Sequence, residues 1–101
     1  MTRTIRLSKR ATRNLEELFD YLETEWSTKV KLDFIDKLDK GLMHLSQFPK
    51  SHPKSNLKKD LHRFVLTRQT TIYYKFNSKN LFVVTLFDTR QSPQKAIKET
   101  S

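Results

Sequence analysis

Apolar residues recur along the chain in two rhythms, and the change of rhythm divides it into elements. Ile5 and Leu7 alternate with Thr4 and Arg6, the period of two that marks a short opening strand. Ser8 follows, where its hydroxyl can accept a bond from an orphan amide of a helical first turn. Ala11, Leu15, Leu18, Phe19, Leu22 and Trp26 then fall on one stripe of a 3.6-residue helix, with Arg13, Glu16, Glu17, Asp20 and Glu23 mostly on the wet side. Ser27 or Thr28 breaks and recaps the chain. A second stripe runs through Phe34, Ile35, Leu38, Leu42 and Leu45, backed by Asp33, Asp36, Lys37 and Lys40. Gly41, inside that stripe, costs about 1 kcal/mol relative to Ala and suits close contact between helices. Two amphipathic helices with almost no connector predict a helical hairpin.

Pro49 and Pro53 stop the second helix, because proline lacks the amide and clashes with the preceding turn. Residues 49–60 read as an exposed basic loop. Three strand-like runs follow: Leu61 to Thr67, Thr70 to Phe76, and Leu81 to Phe87. Asn77 to Asn80 joins the last two as a hairpin connection of common length. The nearly continuous apolarity of 81–87 predicts a central strand covered on both faces. The order β-α-α-β-β-β predicts an α+β fold of two layers: an N-terminal strand, a two-helix hairpin and a three-stranded antiparallel meander, with the helices packed on one face of an antiparallel sheet. The other face is then partly open, and alternation places Tyr73, Lys75 and Arg63 on it. Residues 1–96 are expected to form one domain and the polar tail, 97–101, to fray.

Composition adds a bias. The 101 residues carry 20 Lys and Arg against 11 Asp and Glu, a net charge of +9. Residues 1–26 are neutral and 27–48 carry +1, whereas 49–69 carry +5 and 70–101 carry +3. The basic character therefore belongs to the loop-and-sheet half. Such a bias points to a polyanionic or acidic partner and says nothing of the fold. No cysteine is present, which removes disulfides, thiol catalysis and Cys-ligated zinc. No apolar run approaches the ~20 residues of a membrane span, and the N-terminus has no apolar signal core. A cytoplasmic protein without membrane association is the expectation.

Little in the chain points to catalysis by a recognised constellation. A single glycine cannot build a phosphate-cradling Gly-rich loop. His44, His52 and His62 lack metal-ligand spacing, and Asp33, Asp36 and Asp39 lack the glycine and distal Glu of a calcium loop. No cofactor or metal is expected. The informative cluster is cationic: Lys54, Lys58 and Lys59 in the loop, with Arg63, Arg68, Lys75 and Arg90. Lys and Arg would neutralise phosphates while Tyr73 stacks on a base. The same set could cleave RNA without metal, one group taking the 2′-hydroxyl proton and the cations stabilising the pentacoordinate phosphate. A solvated basic surface and an acidic protein partner account for the same charges.

The stretches Leu61-His62-Arg63-Phe64-Val65-Leu66, Thr71-Ile72-Tyr73-Tyr74-Lys75-Phe76 and Phe87-Asp88-Thr89-Arg90-Gln91-Ser92-Pro93 carry a resemblance. With the element order, they resemble the RelE/ParE superfamily of type II toxin–antitoxin toxins across residues 3–96. The resemblance implies a growth-inhibiting toxin held inactive by a small acidic antitoxin, encoded adjacently. It implies one of two targets. RelE-like members are ribosome-dependent mRNA endonucleases, and Arg63, Arg68, Tyr73 and Arg90 would be the catalytic candidates. ParE-like members act on DNA gyrase by binding. In both cases Lys54, Lys58, Lys59, Arg63, Lys75 and Arg90 are candidates for target or antitoxin contact. Thr71 stands where RelE-like proteins carry an arginine, and residues 94–98 lack their C-terminal tyrosine. Those departures, with the long helical hairpin, favour the ParE-like side.

Overall fold

A computed structural model describes residues 2–51 and 61–90. The basic loop beyond Ser51 and the chain after Arg90, including the expected boundary at 96, lie outside the described residues. The elements run β1 (Thr4–Leu7), α1 (Lys9–Glu25), α2 (Thr28–Gln47), a 3-10 turn (Pro49–Ser51), β2 (His62–Val65), β3 (Thr70–Phe76) and β4 (Asn80–Asp88). This is the expected α+β architecture, with the helical hairpin on one face of the sheet.

Both helices start where the serines predicted. The Ser8 side chain accepts from the Ala11 amide at 2.9 Å, and Ser27 accepts from the Val30 amide at 3.1 Å. Each cap satisfies a donor that the first turn leaves without an intrahelical partner. Ser8 also ties helix to sheet, because its hydroxyl donates to the Val84 carbonyl at 2.6 Å.

The strand order is β1-β4-β3-β2. β2, β3 and β4 form the antiparallel meander that the sequence predicts, but β1 joins it parallel to β4, Ile5 opposite Leu81 and Leu7 opposite Val83. The sheet is therefore mixed. With β3 and β1 bonded on its two sides, β4 is central, as its apolarity predicted. Its coverage is unequal: Leu81, Val83 and Leu86 are buried, whereas Phe82, Val84 and Phe87 are only half-buried. β2 is shorter than its apolar run, because Leu66 and Thr67 belong to a tight turn. The Thr67 hydroxyl there accepts from the Gln69 and Thr70 amides at 3.1 and 3.0 Å.

The main core joins Ala11, Leu15, Leu18 and Leu22 of α1 and Phe34, Leu38 and Leu42 of α2 to Ile72, Val83 and Leu86 of the sheet. These are the predicted helical stripes. Two stripe residues stay out of the core: Ile35 is half-buried, and Trp26 caps α1 with 56% of its surface exposed. Gly41 lies close to β2 and its turn rather than to the other helix. A Cβ there would stand 2.5 Å from Leu66 Cδ1 and 3.2 Å from Phe64 Cε2. Asn14 is the polar bolt of this interface: its buried side-chain oxygen accepts from the Thr85 hydroxyl at 3.0 Å and the Leu86 amide at 3.3 Å. The two donors lie beside the register shift between β3 and β4, after Tyr73.

Candidate functional site

The polypeptide after β4 is held by a buried charge network. The Asp88 carboxylate has no exposed surface and accepts from the Thr70 hydroxyl, the Arg90 amide at 2.9 Å, and Arg90 Nε and Nη2 at 2.9 and 2.7 Å. Arg90 thus makes a bidentate pair, the strongest common geometry for a guanidinium and a carboxylate. Burial alone would push the Asp88 carboxyl up, but the bonds from Arg90 and Thr70 outweigh it and hold the group below its ordinary value. The bond to Asp88 holds the Arg90 guanidinium above its own. The Tyr21 hydroxyl donates to the Arg90 carbonyl at 2.7 Å, and the guanidinium sits 6.0 Å from the Trp26 ring. Arg90, at 18% side-chain exposure, is a structural clamp tying the end of β4 to α1 and its C-cap.

Beside this clamp lies a cleft of about 150 Å³ between α2 and the β2–β3 turn, lined by Val30, Asp33, Phe34, Lys37, Thr67, Gln69 and Arg90. Asp33 is paired with Lys29 at 2.8 Å.

Arg63, Lys75 and Tyr73 separate from Arg90. Arg63 is exposed on β2 directly across from Tyr73, so the two share the sheet face turned away from the helices. Lys75 is exposed on that face, two positions along β3. Tyr73, expected on an open surface, is instead 2% exposed and stacked with Phe87 at 5.9 Å between ring centres. Arg68 is exposed in the β2–β3 turn, whose Gln69 carbonyl accepts from the Thr89 amide at 2.9 Å. Lys54, Lys58 and Lys59 lie outside the described residues. The predicted cations that are described therefore fall into two groups: Arg63 and Lys75 on the sheet face, Arg68 and Arg90 by the β2–β3 turn. Tyr74, outside the predicted site, faces the helices. It is fully buried, donates to the Pro49 carbonyl at 2.7 Å, and burial pushes its hydroxyl up to about 12. It thereby anchors the start of the basic loop. Among the described residues no three His, Asp or Glu side chains converge as a metal site, and no helix is long and apolar enough to cross a membrane.

Residues 5–93 match the family model described as the ParE toxin of the type II toxin–antitoxin system parDE. No curated protein matches the chain by sequence. Among solved structures, the chromosomal ParDE system from P. aeruginosa aligns with a TM-score of 0.72 at 10% identity, over 86% of this chain and 96% of that one. The E. coli DinJ–YafQ toxin–antitoxin complex aligns at 0.62 and 14%, over 89% and 96%. The RelBE2 toxin–antitoxin complex from Mycobacterium tuberculosis aligns at 0.60 and 11%, over 87% and 99%. At such identities the structural likeness concerns the fold.

Proposed function

Since the chain belongs to the ParE toxin family of type II toxin–antitoxin systems, we propose that it arrests growth by binding DNA gyrase and is silenced by a small acidic antitoxin. The observation that carries a binding mode over RNA cleavage is the state of the predicted catalytic set. Arg90 is consumed by Asp88, and Tyr73 is packed against Phe87 below the surface. A group that must stabilise a phosphate or move a proton has to reach the scissile atoms. Arg63 and Arg68 alone do not supply an acid–base pair, since guanidinium groups stay protonated.

The proposed antitoxin contact is the cationic part of the outer sheet face and the β2 edge. Arg63 and Lys75 are exposed there, and a strand can add to an edge while acidic side chains cover the cations. Induced expression should stop growth and accumulate gyrase-dependent cleaved DNA. Unimpaired supercoiling by gyrase in the presence of excess purified protein would overturn the gyrase assignment. A second reading, ribosome-dependent mRNA cleavage, rests on the exposed arginines Arg63 and Arg68. It predicts cuts at the A-site codon of translating ribosomes, lost in Arg63→Ala.

A further inference from the structure

The cleft beside Arg90 is not used by the function proposed above, and its lining is specific enough to name an occupant. Its floor is apolar: Phe34 is buried in the main core, and Val30 packs half-buried against that core. Its volume, about 150 Å³, suits one branched aliphatic side chain or a small ring. The charged groups at its rim are mostly spent. Asp33 is paired with Lys29, and Arg90 with Asp88. Lys37 makes no ion pair among the described residues and is exposed. The Trp26 ring, also exposed, extends the apolar surface beyond Arg90.

We infer that this cleft is an anchor socket for one leucine-like side chain of an acidic polypeptide segment, with a neighbouring carboxylate of that segment paired to Lys37. An apolar floor with a single unpaired cation favours this occupant over nucleic acid. Phosphates would meet Asp33 at the rim and only one compensating charge, and the floor offers nothing to a ribose or phosphate. The acidic character of the segment follows from charge complementarity to Lys37, the lining cation that no carboxylate of the described residues neutralises. The antitoxin reading is what supplies a natural source for such a segment. An apolar side chain seated in a preformed pocket and ringed by a weaker polar contact is the usual layout of an interface hot spot.

The test uses the intact protein and a defined probe, acetyl-Glu-Glu-Leu-Glu-Glu-amide, with a companion in which alanine replaces the leucine. Trp26 is the only tryptophan in the chain and reports from beside the socket. Its emission should change saturably with the leucine probe, and the amide resonances of Val30 and Gln69 should shift in parallel. The alanine probe should bind about tenfold more weakly, as expected for the loss of a leucine side chain's buried apolar surface. Lys37→Glu changes an exposed residue and should weaken the leucine probe about fivefold or more, with the far-ultraviolet spectrum unchanged. Val30→Phe, which fills the cleft, should abolish the leucine preference. Equal binding of the two probes, shifts confined to Arg63 and Lys75, or no shift at millimolar probe would each overturn the socket. The antitoxin reading is judged separately: it falls if the adjacently encoded acidic protein fails to rescue growth, whatever the probes do.

Discussion

Replacing Asp88 by Asn should be among the most damaging single-atom changes in this fold. Asn keeps the shape and one acceptor oxygen, but its NH2 group then faces native donors in either orientation: the Arg90 amide and Nε in place of Oδ1, or Arg90 Nη2 and the Thr70 hydroxyl in place of Oδ2. The Arg90 charge is left with 18% of its side chain exposed and no counter-ion. Removing one partner of a buried pair costs about 3–5 kcal/mol, and the partial exposure of Arg90 places the expected loss near the lower end, about 3 kcal/mol. Urea unfolding followed by Trp26 emission reads this directly. With a slope of about 1–3 kcal/mol per molar, the midpoint should fall by about 2 M with the slope unchanged. The pH dependence gives an independent check. The folded Asp88 carboxyl lies below its ordinary value of 3.8. Its contribution is therefore fully present above the unfolded value and is lost as pH falls below about 4 through the folded value. Wild type should lose stability over that window, and Asp88→Asn should lose less. Arg90→Met in the Asp88→Asn background should recover part of the loss, with a coupling of about 2 kcal/mol. A loss under about 1 kcal/mol for Asp88→Asn, or an identical acid limb in the two proteins, would refute the clamp.

Asn14→Ala should cost about 2 kcal/mol, because the Thr85 hydroxyl and the Leu86 amide lose a buried acceptor; hydrogen exchange at Leu86 should accelerate well beyond that of the other β4 amides, and unchanged exchange would contradict the bolt. Tyr74→Phe should lose about 1 kcal/mol, and ultraviolet titration of the wild type should show a tyrosine ionising near 12 that vanishes in the variant. Because that value is raised, the contribution of Tyr74 is intact below pH ~10 and declines as pH approaches 12. Gly41→Val should destabilise by about 1–3 kcal/mol through overpacking, since even a Cβ would press on Leu66 and Phe64; a raised thermal midpoint would mean that α2 moves away from the sheet at little cost.

The helices and the meander were legible in the sequence because burial on one face writes its period into the chain. Leu15, Leu18 and Leu22, and Phe34, Leu38 and Leu42, all reach the core where their stripes placed them. The parallel pairing of β1 was not legible: alternation in Ile5 and Leu7 says which side chains share a face, not which strand lies alongside, and both side chains stay exposed. A signal was nevertheless available. The apolar run of β4 requires bonded neighbours on two sides, and the meander supplies only β3. Tyr73 was misjudged for a related reason. Alternation put it correctly on the face away from the helices, but the packing of Phe87 against it is a cross-strand relation that no single strand encodes. Asn14 carried no warning at all, since a polar residue at the edge of an amphipathic stripe looks the same whether it meets water or a bulged strand.

Arg90 shows why a tally of cations does not translate into a binding surface. The end of β4 reads as Asp88-Thr89-Arg90, and the arginine alone suggests a phosphate ligand. The aspartate two residues earlier is buried at the strand end, where an uncompensated carboxylate would be costly. Its nearest means of neutralisation is that arginine. The pair stabilises the turn and contributes nothing to the outward field beyond a local dipole. Partner-facing charge must then come from cations without such a carboxylate at hand. Within the described residues Arg63 and Lys75 face outward from the sheet and Lys37 stands at the rim of the cleft. These positions lie on different sides of the molecule, so an acidic polypeptide that engaged them all would have to wrap the domain. A compact acidic domain would reach only one. The separation of charge into an inward clamp and dispersed outward cations thus favours an extended partner over a globular one, and mutation of Lys75 and Lys37 together should weaken an extended partner by the product of the two single effects.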